Sequence, residues 1–172
     1  MHSLLKSLSH GDKRMVLGVK EAIDAVQNNP SLFSTLIKGM HHNNELIAMR
    51  SADAVEKLTF VHPQWLTPHK RVLIDLLDNS NQQEVLWHLA QIIPRLILSK
   101  NEKHQLIKTF VSYLNNKSRI LVTFSMQAMV DIADNDDQLK NRIYPIIKDL
   151  SETGSGAMRS RGRRLLKELG KV

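Results

Sequence analysis

Apolar residues recur along most of this chain at the spacing of amphipathic helices, and the pattern itself repeats. Residues 82–96, QQEVLWHLAQIIPRL, place apolar side chains on one helical face with polar residues between them. Residues 51–58 match 89–96 after a shift of 38 positions. The same pattern returns at 126–132 and again at 165–169. The segments between these helices repeat too, so the chain has two apolar stripes in each period of about 37 residues.

Two apolar stripes in each period predict a stack of helical hairpins, because one hairpin cannot bury both stripes alone. We therefore expect an all-α fold, an α-solenoid of stacked antiparallel helix pairs within a single domain, residues 1–172. The predicted boundaries follow the repeat. They are N-terminal cap helices over 1–28 and helical hairpins over 29–62, 63–98, 99–133 and 134–170.

Capping residues and prolines predict where individual helices begin and end. Asp12 is a suitable N-cap for a helix over 13–27, which would turn Met15 and Val16 inward. Asn29-Pro30 and Thr67-Pro68 each combine a cap with a proline at the first helical position.

Further along the chain, Ser99-x-x-Glu102 forms the pattern of a capping box. Pro94 and Pro145 lie inside predicted helices, where we expect a kink at the first and a kink or a break at the second. Residues 154–156, Gly-Ser-Gly, are the expected linker to the last helix.

Several segments resemble HEAT repeats. Residues 47–58, IAMRSADAVEKL, are similar to the second helix of such a repeat, in which a branched residue and an arginine precede alanines and leucines at helical spacing. Asp78 resembles the acidic turn residue of that motif. WHLAQIIPRL, FSMQAMVDIA and GSGAMRSRGRRLLKEL together resemble segments of a group of small bacterial HEAT-repeat proteins. The resemblance covers the chain from about Asp12 and implies an armadillo-like, right-handed superhelix.

Polar residues between the apolar ones on the second helices predict a stripe along the concave face. Within each helix they follow i, i+3, i+7 spacing. The stripe, with the adjacent tryptophan, comprises Arg50, Asp53, Lys57, Trp87, His88, Gln91, Arg95, Phe124, Gln127, Asp131, Arg161 and Arg164. One interpretation is a groove for a partner protein or peptide. The other is a solvated face whose side chains pair with one another.

Basic residues are concentrated at one end of the chain. Of a net charge of +7, residues 157–172 contribute six Lys and Arg against one Glu, or +5. Arg159, Arg163 and Lys167 form a basic patch at i, i+4, i+8 spacing. The patch has three interpretations: a solubilising end of the stack, a contact for an acidic protein, or a contact for nucleic-acid phosphates.

Catalytic and metal-binding motifs are missing from the sequence. The eight histidines show no metal-ligand spacing, and no GxSxG, phosphate loop or nucleotide-binding glycine pattern occurs. We expect no cofactor and no metal. The chain has no cysteine, no apolar run of membrane-spanning length and no signal-peptide pattern, so we expect a cytoplasmic protein without membrane contact.

These observations predict a non-enzymatic interaction scaffold, a monomer or weak oligomer, that binds a partner protein or peptide on its concave face. The alternative is a nucleic-acid-binding HEAT-repeat protein that uses the basic C-terminal helix. Some proteins of this architecture are DNA repair glycosylases, and the resemblance makes Trp87, Phe124, Asp131 and Arg161 the candidates for such a role.

Overall fold

The computed structural model describes residues 2–170, and within them every regular element is helical, which confirms the predicted all-α class. The α-helices are α1 (Ser3–Ser7), α2 (Val19–Asn28), α3 (Phe33–Gly39), α4 (Glu45–Val61), α5 (Lys70–Asn79), α6 (Gln83–Ile92), α7 (Lys100–Ser112), α8 (Arg119–Ile132), α9 (Asp137–Thr153) and α10 (Gly156–Leu169). Short 3₁₀ turns occupy Pro30–Leu32, Pro63–His69, Ile93–Arg95 and Tyr113–Asn115. No helix in this part of the chain is both long enough and apolar enough to cross a membrane.

The helices form two compact units, the first ending at Leu96 and the second beginning at Ile97. In the first unit, α4 is central and packs against α2, α3 and α6. In the second unit, α8 packs against α7, α9 and α10, and α9 packs along α10. Each unit therefore has one helix, α4 or α8, that contacts three of its neighbours.

Polar side chains cap several helix starts, and the cap at Ser99 is where the sequence predicts it. The Asn44 side chain accepts hydrogen bonds from the first turn of α4. Ser99 and Glu102 form the predicted capping box of α7, in which each side chain bonds the backbone of the other residue. Ser155, within the predicted linker, caps α10. These caps satisfy backbone N–H groups that have no partner inside their own helix.

The predicted helix over 13–27 is wrong in its first third. The α2 helix begins only at Val19, after Gly18, whose φ of 78° is left-handed. Asp12 caps no helix; its side chain accepts a hydrogen bond from the Arg14 backbone N–H at 2.8 Å. Met15 and Val16, which we expected to be buried, are 48% and 61% exposed.

The two internal prolines act differently from each other. The α6 helix ends at Ile92, and a 3₁₀ turn containing Pro94 leads to an extended Leu96, so the predicted kink is instead a helix end. The α9 helix continues through Pro145 and does not break there. A proline inside a helix removes one helical hydrogen bond, so the packing of the residues around it decides the outcome. The residues that follow Pro145 are held helical because α9 packs along α10, whereas the chain after Pro94 leaves the helix for the link to α7.

Small residues bring neighbouring helices close together in both units. A Cβ atom added to Gly39 in α3 would lie 2.3 Å from Ser51 Oγ in α4. A Cβ atom added to Gly162 in α10 would lie 2.7 Å from Ser151 Cβ in α9. A larger residue at either glycine requires the atoms packed against it to shift, which at Gly162 include the backbone of Ser151.

Candidate functional site

Arg50, the first residue of the predicted stripe, is completely buried and does not lie on a surface. Its guanidinium donates hydrogen bonds to the backbone carbonyls of Leu8 at 2.8 Å, His10 at 2.5 Å, Asp12 at 2.8 Å and Met15 at 2.7 Å. The prediction that Arg50 belongs to a partner-binding face is wrong for this structure. The side chain instead fastens the non-helical segment before α2 onto α4, because the carbonyls of that segment have no helical partners of their own.

The other polar residues of the first unit form a cluster between α4 and α6, which we call the α4–α6 cluster: Asp53, Glu56, Lys57, His88 and Arg95. Lys57 Nζ lies 2.8 Å from Asp53 Oδ2. Arg95 donates to Glu56 Oε1 at 2.5 Å and to the Glu56 backbone carbonyl at 2.5 Å. Each cation in this cluster is therefore neutralised by a carboxylate of the same cluster.

His88 occupies the centre of the cluster and is mostly buried. Its Nδ1 atom is shielded from solvent and has no hydrogen-bond partner among the described residues. Burial lowers the pKa of His88, the nearby charges of Asp53 and Glu56 oppose this, and Lys57 adds to the lowering. The imidazole is therefore neutral at pH 7, with an unprotonated nitrogen available as an acceptor or ligand.

Asp53, Glu56 and His88 are close enough to share a ligand. One side-chain ligand atom from each residue lies within 4.8 Å of those of the other two. Glu56 is the member that sequence reasoning missed, although it lies one helical turn after Asp53 and so on the same side of α4. Histidine spacing alone could not reveal the cluster, because the two acids and the histidine come from different helices.

Aromatic residues flank this cluster. The Trp87 ring is half-buried and lies 6.0 Å from the His88 ring between centroids. Gln91 donates to the Trp87 backbone carbonyl within the same helix at 3.2 Å. The Arg95 guanidinium lies 5.6 Å from the centroid of Phe60, a ring that is 78% exposed. Gln91 thus serves its own helix, whereas Arg95 extends the cluster to an exposed aromatic surface.

In the second unit, Gln127 of α8 connects two arginines of α10. Its Oε1 atom accepts a hydrogen bond from Arg161 Nη1 and another from Arg164 Nη2, each at 3.0 Å. Its Nε2 atom donates to Asp131 Oδ1 at 2.8 Å. We call Phe124, Gln127, Asp131, Arg161 and Arg164 the α8–α10 cluster. All five are residues of the predicted stripe, and the structure brings them together.

Charge in the α8–α10 cluster is only partly compensated. The acceptor shared by the two arginines is a neutral amide, and the nearest carboxylate to Arg164 is Glu168, at 3.8 Å. Arg161 lies 5.6 Å from the Phe124 ring centroid, in a cation–π arrangement. Burial lowers the pKa of Arg161, which nevertheless stays cationic at any physiological pH.

Asp131 experiences several opposing influences. Partial burial raises the pKa of its carboxyl, the hydrogen bond from Gln127 lowers it, and Glu168 raises it again. Arg161 and Asp134 contribute smaller effects of opposite sign. Asp131 also lines an open groove of about 240 Å³. The other lining residues are Val130, Asp134, Lys140, Glu168 and Leu169. The acidic side chains of Asp131 and Glu168 thus lie beside the arginines of α10.

The predicted basic patch is exposed along α10. Arg159, Arg163 and Lys167 are all exposed, and Arg159 donates to the backbone carbonyl of Gly154 at 3.2 Å. Within the described residues, Arg163 and Lys167 have no hydrogen-bond or ion-pair partner. Lys171, which the sequence adds to the basic end, lies outside the described residues.

No protein-family model matches this chain, and neither a curated protein nor a solved structure is significantly similar to it. The function is therefore inferred from the chemistry of the two clusters and the basic patch alone.

Proposed function

We propose that this chain is a non-enzymatic helical-repeat protein that binds an acidic segment of a partner protein on the exposed side of α10. The contact surface in this proposal combines the α8–α10 cluster with the basic patch. The α4–α6 cluster has no part in it, because its cations already have carboxylate partners.

The observation that carries the proposal is the shared neutral acceptor. Arg161 and Arg164 both bond Gln127 Oε1, which orients two guanidinium groups without cancelling their charge. Arginine is suited to carboxylates because its planar donors bind two oxygens at once. Preorganised cations of this kind favour binding of a carboxylate-bearing partner, since the cost of ordering their side chains is already met within the fold.

The arrangement of charge favours a protein over a nucleic acid. Asp131 and Glu168 lie beside the arginines and interrupt the positive surface. A phosphate backbone carries negative charge at every step and is repelled by such interruptions, whereas a protein segment has charges only at particular positions.

A HEAT-like solenoid is the architecture we propose for the chain. Its support is the period of about 37 residues in the sequence together with the contacts inside each unit. In the first unit the second helices α4 and α6 pack against each other, and in the second unit α8 and α10 do so. Packing between equivalent helices of successive repeats is the local arrangement that stacked hairpins require.

The alternative function is nucleic-acid binding through the basic patch. Arg159, Arg163 and Lys167 recur on one side of α10 and are exposed, so their charges are accessible to phosphates. No aromatic residue lies between them for base stacking, which makes single-strand binding the weaker version of this alternative.

A direct test compares two labelled probes of equal negative charge. One is an Asp- and Glu-rich peptide and the other is an oligonucleotide, single- or double-stranded, each measured by fluorescence anisotropy at low salt and at about 0.15 M salt. The variants are Arg161→Gln with Arg164→Gln, which removes the preorganised pair, and Arg159→Gln with Arg163→Gln and Lys167→Gln, which removes the basic patch.

We expect the peptide to remain bound at the higher salt concentration and to lose affinity most in the Arg161/Arg164 variant. Oligonucleotide binding that survives the higher salt and disappears in the basic-patch variant would instead establish the alternative. If neither probe binds at the higher salt, the proposal is refuted.

A further inference from the structure

The α4–α6 cluster contains three potential metal ligands from two helices. Asp53 and Glu56 lie one turn apart on α4, and His88 faces them from α6. Their ligand atoms lie within 4.8 Å of one another, and all three residues are half-buried. The carboxylates are well shielded, with side-chain exposures of 13% for Asp53 and 17% for Glu56. The fold thus concentrates ligand atoms where competition from bulk water is reduced.

Each of these ligands retains an unused atom. Asp53 bonds Lys57 through Oδ2, and Glu56 bonds the Arg95 guanidinium through Oε1, so one oxygen of each carboxylate has no partner among the described residues. His88 Nδ1 is buried and also without a partner. A buried polar atom left without a hydrogen bond is costly and uncommon in folded proteins, and here it lies in the same cluster as two carboxylates.

We propose that Asp53, Glu56 and His88 form a binding site for a divalent transition-metal ion of the Zn²⁺, Co²⁺ or Ni²⁺ class. One imidazole nitrogen and two carboxylate oxygens suit these borderline ions. Ca²⁺ and Mg²⁺ fit less well, because they select oxygen ligands alone and need more of them. Three protein ligands leave at least one coordination position for water.

Lys57 and Arg95 determine how strongly the ion is held. Both cations lie against the ligand carboxylates, so a metal ion must compete with them for negative charge. Lys57 is the weaker competitor, since its side chain is 49% exposed and can move into solvent, whereas that of Arg95 is 19% exposed and is also bonded to Thr59. Removal of the Lys57 charge should therefore strengthen metal binding without any change to the ligands.

The competition between Lys57 and the metal ion can be tested, because ligand variants should weaken metal binding whereas removal of the Lys57 charge should strengthen it. Untagged protein is titrated with Zn²⁺ by isothermal calorimetry and with Co²⁺ by quenching of tryptophan fluorescence. The fluorescence experiment uses a Trp65→Phe background, so that Trp87, beside the His88 ring, is the one tryptophan left in the chain.

We expect one bound ion per chain in the wild-type protein. His88→Gln and Asp53→Asn should each weaken binding by about tenfold or more, since even the loss of a residue that only supports a ligand typically has that effect. Lys57→Gln should tighten binding several-fold. His69→Gln is the matched control, because His69 is also half-buried but lies outside the cluster, and this change should have no effect.

The proposal would be overturned if no binding occurred at Zn²⁺ concentrations up to about 1 mM. Unchanged affinity in folded His88→Gln and Asp53→Asn proteins would also overturn it, as would weaker rather than tighter binding in Lys57→Gln. If binding is lost instead in a His41→Gln, His42→Gln variant, the ion occupies those adjacent surface histidines and the α4–α6 cluster is not its site.

Discussion

The α4–α6 cluster and the α8–α10 cluster occupy equivalent helix junctions in the two units, yet they hold their arginines in different ways. Arg95 is bonded to a carboxylate and a backbone carbonyl of Glu56. Arg161 and Arg164 share the neutral amide oxygen of Gln127. The first arrangement cancels charge inside the protein, and the second orients charge without cancelling it. The difference indicates that the first junction serves internal cohesion, whereas the second presents the two cations for the binding that we propose.

The same two units use small residues in opposite order. In the first unit the glycine is on the first helix, Gly39 of α3, and the serine on the second, Ser51 of α4. In the second unit the serine is on the first helix, Ser151 of α9, and the glycine on the second, Gly162 of α10. Close approach therefore needs one position without a side chain in each pair, but not on a particular helix.

The largest expected effect comes from Arg50→Met compared with Arg161→Met. Removal of the Arg50 guanidinium takes a hydrogen bond from each of four backbone carbonyls, of which that of Asp12 keeps a second donor in the Met15 N–H, and should destabilise the protein by about 2–4 kcal/mol. Arg161→Met should have an effect of less than about 1 kcal/mol, because Gln127 keeps its bond from Arg164. Urea denaturation measures the unfolding free energy of each variant. Equal losses would show that Arg50 contributes no more to stability than Arg161 does.

A second comparison tests the close helix contacts. Gly162→Ala should destabilise by about 1–3 kcal/mol, since its new methyl group meets the Cβ and backbone of Ser151, which cannot move independently. Gly39→Ala should have a smaller effect when Ser51→Ala is added, because that change removes the Oγ atom nearest to the new methyl group. Thermal unfolding of the single and double variants gives the measurement. A double variant no more stable than Gly39→Ala alone would mean that Ser51 Oγ is not the obstacle.

Glu56→Gln replaces the carboxylate partner of Arg95 with a neutral amide, the kind of partner that Arg161 has. Arg95 would then rest on a neutral amide, as Arg161 does, and we expect a loss of about 1–2 kcal/mol because the pair is mostly but not completely buried. The loss should change little between low salt and about 1 M salt, since buried pairs are poorly screened. A loss that disappears at high salt would place this pair among ordinary surface ion pairs.

The smallest expected effect concerns Asp131 and pH. Burial is the main reason that the pKa of Asp131 is raised in the folded protein. Between the ordinary carboxyl pKa and this raised value the folded state binds more protons than the unfolded state, so this group makes the protein more stable as the pH falls through that window. On acidification from neutral pH, the free energy of unfolding of the wild-type protein should therefore rise relative to that of Asp131→Asn. We expect a difference of less than about 1 kcal/mol, because the side chain is partly solvated. A difference in unfolding free energy between the two proteins that stays constant with pH would contradict the raised pKa of Asp131.

Local signals in the sequence predicted much of the fold. The capping box at Ser99 and Glu102 depends on residues within one turn, and it is present as expected. The helix start predicted at Asp12 is wrong for a similarly local reason. Asp12 precedes apolar residues, as an N-cap does, but Gly18 adopts a left-handed backbone and the helix begins only at Val19. The sequence does not show which of two competing local signals will determine a helix start.

The candidate sites were less predictable, because they depend on how helices face each other. The repeat placed Gln127 in register with Arg164, and the structure joins them. The same register placed Arg50 on the stripe, where the structure buries it beneath a segment that has no counterpart in the other repeats. Glu56 was overlooked since its importance arises only from contact with Arg95 and His88 on another part of the chain.

The burial of Arg50 also bears on how the HEAT-like array that we propose could grow by gene duplication. A copied hairpin inserted in the interior would bring an arginine whose carbonyl partners, at residues 8–15, exist only once in the chain. The positions that the repeat aligns with Arg50 carry His88, Phe124 and Arg161 instead. The hairpin that carries Arg50 is therefore a specialised unit. An internal copy of it would be stable only if the copied arginine were replaced or given a new acceptor, as Gln127 provides for Arg161.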